Sequence, residues 1–177
     1  IDYFAAISVH IAVTDHAGAD AEDSRMLERV PELSFVRVRC GGGDLDAGIL
    51  GSLQELAQML IGRPEAEIVA FVHHDKCDGE GELVEFPRPL RLIGGFDDNW
   101  GTPQGRTKSK DRFVLINMTG EATTYDISRF EIVGTSVEPV LVVHNATATL
   151  DDLALVSEGE ADAGLLLLGT ADVTASF

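Results

Sequence analysis

Lysine is almost missing from this 177-residue chain: Lys76, Lys108 and Lys110 are the only ones. With Lys+Arg at 13 and Asp+Glu at 30, the formal charge is -17. That excludes favourable contact with nucleic-acid phosphate or anionic lipid over most of the surface. The same bias suits a salt-adapted source or a GC-rich genome, and it bears on solubility. Cysteine is scarce as well. Two, Cys40 and Cys77, are too few for a disulfide scaffold. Two readings of them stay open, a pair of ordinary buried thiols or one disulfide. No apolar run approaches the ~20 residues that span a bilayer. The start, Ile1-Asp2-Tyr3-Phe4, shows no positive leader before an apolar stretch, so no signal peptide is expected in the sequence as it stands.

What is present is a globular composition. Residues of hydrophobic type make up 45%, which is too many for a disordered chain. A single α/β domain over residues 1–177 is expected, with a candidate sub-boundary in the polar loop 97–112. The first half alternates strand and helix. Residues 7–13 suit an inner strand, 14–18 a polar exit, and 20–30 a short acidic helix stopped by Pro31. Phe35-Val36-Arg37-Val38-Arg39 alternates as a half-buried strand does. Cys40-Gly41-Gly42-Gly43-Asp44 reads as a turn. Ile49, Leu50, Leu53, Leu56, Ala57, Leu60 and Ile61 then recur at helical spacing, and Gly62 and Pro64 end that run. The apolar stretch 68–72 is a strand that delivers His73 and His74 to its exit. These elements predict a parallel or mixed central sheet begun by a βαβαβ-like half, because a parallel partner needs a crossover.

The second half is expected to be strand-rich. Strands are predicted near 83–86, 113–116, 130–133, 140–143 and 165–168, while 150–156 fits a helix or a strand. Residues 97–112 hold Gly101, Pro103 and Gly105 with a basic cluster of Arg106, Lys108, Lys110 and Arg112. They read as a surface loop or a lid. No internal repeat stands out. Asn117-Met118-Thr119 and Asn145-Ala146-Thr147 match the glycosylation sequon, a pattern common by chance.

His74-Asp75-Lys76-Cys77 is the sharpest local motif. An imidazole and a thiolate three residues apart at a strand end can reach one Zn²⁺, which takes both nitrogen and sulfur. The stretch 34–79 resembles the core of the β-class carbonic anhydrases. Arg39-Cys40-Gly41-Gly42-Gly43 stands at that family's Asn-Ala-Gly-Asn turn, followed by Asp46-Ala47-Gly48, the helix, the strand and His73-His74-Asp75-Lys76-Cys77-Asp78-Gly79. The resemblance implies His74 and Cys77 as zinc ligands in a lyase or hydratase acting on a small electrophile such as CO₂. It also implies an Asp that orients the metal-bound water, at Asp15. The family's Cys-x-Asp-x-Arg motif is only partly met, since Val13-Thr14-Asp15-His16-Ala17 keeps the Asp without the Cys or Arg. The third ligand would then be His16, Asp15 or His10.

The alternative of another class is a non-catalytic binding or assembly subunit that keeps the fold without the metal. Its strand-rich half would add to a partner's sheet, and it would suit a homo-oligomer. A nucleotide-sugar glycosyltransferase-like edge at Phe71-Val72-His73-His74-Asp75 lacks a following D-x-D. Gly41-Gly42-Gly43 before a helix could cradle phosphate, with Asp44 and Asp46 opposing it. The acidic run 158–162 reads as solvated surface.

Overall fold

The computed structural model describes residues 32–44, 47–63, 66–74, 77, 81–118, 124–134, 137–158 and 164–176. The expected strand over 7–13, the exit 14–18 and the helix over 20–30 lie outside them. From residue 32 onward the βαβ reading holds. Strand β1 (Glu32–Val38) leads through β2 (Ile49–Leu50) and helix α1 (Leu53–Gly62) to β3 (Ala66–His73), which lies parallel to β1. Helix α1 forms over the later part of the expected helix; Ile49 and Leu50, expected to open it, instead pair with Arg37 and Val38 as β2. Ser52 caps it by accepting the Glu55 N–H at 3.1 Å, and the Glu55 carboxylate accepts the Gly51 N–H at 2.8 Å.

After β3 the plan changes. The chain runs β4 (Leu83–Phe86), β5 (Arg91–Phe96), β6 (Thr107–Ser109), β7 (Arg112–Ile116), β8 (Thr124–Gly134), β9 (Leu141–His144), β10 (Thr147–Ser157), β11 (Leu165–Leu168) and β12 (Asp172–Ala175). One sheet has the order β12-β10-β8-β5-β3-β1-β2, with β6 also on β8. The other has the order β11-β9-β7-β4. Every pairing between these strands is parallel. The crossover that a parallel pair needs is supplied here by a strand of the opposite sheet, not by a helix. Each turn of the chain therefore deposits one strand in each sheet, and the turns stack as coils of a β-solenoid. The expectation of one central sheet is corrected in this respect, and 150–156 is strand.

The core follows from the register. Inward side chains stack in columns from coil to coil, since parallel strands in register place like positions over one another. Val84, Phe113, Leu141 and Leu165 form one column, and Phe86, Leu115, Val143 and Leu167 the next. Val36, Ala70, Leu92, Ile127 and Leu150 face them from the first sheet. Phe113 meets Phe86 and Phe130 edge-on, with ring centroids 5.5 and 5.8 Å apart. The fully buried Tyr125 hydroxyl lies 2.7 Å from the Phe86 carbonyl and 2.8 Å from that of Ile116, and donates between them. Burial raises the phenol's pKa.

Corners bend at left-handed residues. Arg129 (φ 61) and Asp152 (φ 51) fold β8 and β10 at matching places, and Asn145 (φ 52) turns β9 into β10. The Asn145 Oδ1 accepts the Thr170 N–H at 3.1 Å, one coil on. The basic cluster is spent on the same lateral work. Arg106 binds Asp152 at 2.6 Å, Lys108 binds Glu131 at 2.8 Å, and Arg112 pairs with Glu138.

The two ends of the stack differ. At the first, α1 lies against β4 and seals the core with fully buried Leu53, Leu56 and Leu60. At the last, Leu167 sits in a core column yet is 47% exposed, and its neighbour Leu168 is 41% exposed. Among the described residues no strand pairs with the outer side of β11 or β12.

Candidate functional site

The longest coil is the one from Arg91 to Asp126, and its extra length is an excursion over residues 97–106. In a solenoid such an insertion projects from one face, where binding groups commonly lie. Gly95 makes the excursion possible. Its φ is +84, and a Cβ there would stand 2.2 Å from the Gly105 carbonyl oxygen. The excursion closes on itself through the Gln104 N–H, which donates to the Gly95 carbonyl at 2.7 Å. Below it, the buried Thr107 hydroxyl accepts the Gly95 N–H at 2.9 Å and lies 2.9 Å from the His73 carbonyl, to which it donates.

This fold places the tip of the excursion at the exits of β1 and β3. Asp97 forms the turn: its Oδ1 accepts the Asn99 N–H at 3.0 Å, and its carbonyl accepts that of Trp100 at 3.0 Å. Asp98 then reaches back to Arg39 Nη2 at 3.1 Å and to His73 Nε2 at 3.4 Å. The His73 side chain is only 2% exposed. Trp100 stacks on Phe96 at 6.2 Å between centroids and meets His73 edge-on at 5.7 Å. The Arg37 guanidinium lies 5.7 Å from the centre of the Trp100 ring. Such a cation–π contact at an exposed site is worth about 0.5–1 kcal/mol. Along the same outward side, Phe35 stacks on Phe71 at 5.9 Å with planes 7° apart, and Phe71 meets Phe96 at 4.9 Å. Phe35 is 61% exposed. The result is a shallow strip of aromatic faces edged by guanidinium groups.

His74 and Cys77 lie beside this strip. The His74 Nδ1 donates to the Phe96 carbonyl at 2.9 Å, which in the neutral ring puts the lone pair on Nε2. Cys77 is joined to Cys40 by a disulfide, with Cα atoms 4.8 Å apart, so of the two readings of the cysteines the structure holds the bonded one. A disulfide sulfur is not a thiolate, so zinc ligation by Cys77 requires the bond to be reduced first. The bond ties the exit of β1 to that of β3. Cys77 is also bridged to the third side of the coil, donating its N–H to the Lys108 carbonyl at 2.8 Å. Asp15, His16 and His10 lie outside the described residues, as does Asp75. Among the described residues no group of three or more His, Cys, Asp or Glu side chains is arranged around a metal position.

The glycine run is built for backbone proximity. A Cβ on Gly43 would stand 2.5 Å from the Gly51 Cα, and the start of α1 is occupied by its own Glu55 carboxylate. The residues sequence reasoning missed are Asp98, Trp100, Phe35 and Arg37. Two signals pointed to them: the chain's single tryptophan lies in its longest polar loop, and a phenylalanine and an arginine share the outward phase of β1. No protein-family model, no curated protein and no solved structure matches this chain.

Proposed function

We propose that the chain is a non-catalytic binding module that engages a partner protein through the strip formed by β1, β3, β5 and the 97–106 excursion. The observation that carries this reading is Phe35, 61% exposed and stacked on Phe71 one strand away from Arg37 and Trp100. Alternation asks for polar groups at outward strand positions. Aromatic and arginine side chains there are the types that supply most of the energy at protein interfaces. The net charge of -17 opposes an acidic partner, so a neutral or basic surface fits best. The test uses paired baits, wild type and a Phe35→Ala/Arg37→Ala variant, against extracts of the source cells. A specific partner, identified by mass spectrometry and rebuilt from purified components, should bind the variant at least tenfold more weakly. Equal binding by the two baits would remove the strip from the interface.

The zinc-dependent lyase implied by the family resemblance is a second proposal, favoured by His74. An Nδ1–H held by a backbone carbonyl is the arrangement that fixes a metal-ligating histidine. It needs Cys77 reduced by a dithiol. Zinc per chain is to be measured before and after dithiol treatment in wild type, His74→Ala and Cys77→Ser. One zinc per reduced wild-type chain, lost in both variants, supports the lyase. Its absence from reduced wild type sinks it.

A further inference from the structure

The corner between β9 and β10 carries an inference that is independent of the strip. It holds Asn145-Ala146-Thr147, a glycosylation sequon whose three residues are all described. Asn145 turns the chain in the left-handed region, at φ 52, and is exposed. Its Oδ1 accepts the Thr170 N–H at 3.1 Å, which fixes the way the amide faces. A Cβ on Gly169 would stand 1.9 Å from that oxygen but 3.6 Å from Nδ2. The oxygen therefore lies against the next coil, and the nitrogen faces away from it. Among the described residues Nδ2 makes no hydrogen bond. Ala146 is only 3% exposed and packs inward, so Asn145 and Thr147 flank it on the outer side.

A left-handed corner accounts for an asparagine at 145. It does not account for a hydroxyl two residues on. Thr147 is exposed, and its hydroxyl makes no hydrogen bond among the described residues. Beside it stand Thr124 and Asp172, its register partners on β8 and β12, both exposed. A bulky, hydrated sugar can lie over that polar row without covering apolar surface. Asn117 holds the equivalent corner one coil earlier and is less exposed than Asn145. The cysteines supply an independent observation. Both of them are joined in the Cys40–Cys77 disulfide, a bond that persists in oxidising surroundings outside the cytosol. Sequons are used in chains that enter such surroundings. We propose that Asn145 is N-glycosylated. The co-reactant is an oligosaccharide carried on a lipid phosphate. Nδ2 bonds to the anomeric carbon of the first sugar, the bond from that carbon to the phosphate oxygen breaks, and the amide gives up one proton. Nothing is oxidised or reduced.

The test is peptide mass spectrometry on the protein isolated from its source cells, with electron-transfer fragmentation to place any sugar. Trypsin cuts after Arg112 and Arg129, so Asn117 and Asn145 fall on separate peptides. The peptide that starts at Phe130 should carry a saccharide mass on Asn145 and shed it sugar by sugar. Thr147→Ala should remove that mass and Thr147→Ser should keep it, while both leave the Asn145 side chain and its bond to Thr170 in place. A wild-type peptide with no sugar on Asn145 overturns the proposal. A sugar that survives in Thr147→Ala, or that fragmentation places on a threonine, overturns it as well. The wild-type fragmentation decides the case if Thr147→Ala fails to fold. The strip variant Phe35→Ala/Arg37→Ala should be glycosylated like wild type, so this test and that of the binding module fail separately.

Discussion

The two ends of the solenoid solve the same problem differently. A stack of coils has a core that must stop somewhere, and each end coil exposes both its inward side chains and its edge hydrogen-bonding groups. At the first end the sequence changes period, from alternation to helical spacing, and α1 turns Leu53, Leu56 and Leu60 onto the core. At the last end the apolar column continues unchanged into Leu165 and Leu167. Among the described residues, a helix covers the first end and no strand covers β11 or β12. Coil geometry alone does not determine whether a solenoid is a self-contained body; the terminal element does.

That contrast can be broken most forcefully at the sealed end. Leu56→Ala should cost about 2–5 kcal/mol, the usual range for a buried leucine. Leu167→Ala, at a 47% exposed position, should cost under about 1 kcal/mol, and urea melts check both. Next comes the disulfide, which closes a loop of sequence separation 37 near the sealed end. The Cys40→Ser/Cys77→Ser variant should lose about 2–4 kcal/mol. If the protein then melts in two steps, the first coil separates from the rest. Gly95→Ala comes third, at about 1–3 kcal/mol, because it forces a side chain into a left-handed position against the Gly105 carbonyl. Its signature is a shift in Trp100 fluorescence that the two leucine variants do not produce.

The smallest effect is a pH dependence beside α1. Asp111 is 2% exposed, and its Oδ1 has no hydrogen-bond partner. Burial raises its pKa above the usual carboxylate value, outweighing the contact from Gln54. The folded state therefore binds the proton more tightly than the unfolded chain. The contribution of Asp111 is fully present below the unfolded pKa and is lost as pH rises through the folded one. Asp111→Asn should accordingly raise the melting temperature at pH 7 and bring little change near pH 3.5. An equal shift at both pH values would mean that the carboxyl group's proton is not what matters there.

Much of the strand map was legible in the sequence. Strands over 83–86, 113–116 and 165–168 stand where the apolar runs are, and α1 covers the helical spacing from Leu53 on, Ile49 and Leu50 being strand. The coil architecture was not, for a physical reason. Repeats are visible when coils have equal length, and here Val69 pairs with Arg91, Arg91 with Asp126, and Thr124 with Thr147, at unequal intervals. The excursion 97–106 alone shifts everything after it out of phase. The strip escaped for a related reason. Arg39 and His73 are distant from Asp98 in sequence, and only the stacking of β1, β3 and β5 brings them within 3.4 Å of its carboxylate. The motif at His74 and Cys77 was visible, but a sequence carries no distance, so the bond between Cys40 and Cys77 stayed one reading of two.

The excursion leaves the solenoid and returns to it within one residue position of the corner at Gly95. Apart from Arg106, which binds Asp152 on β10, the pairing of β5 and β6 with β8 does not run through the excursion. The tip between Asp97 and Gln104 can be lengthened, shortened or replaced while the register of β5 on β8 and of β6 on β8 is kept. Recognition and scaffold are uncoupled at that corner, which makes the 97–106 segment a natural graft point. New specificities can be tried there without redesigning the stack that carries them.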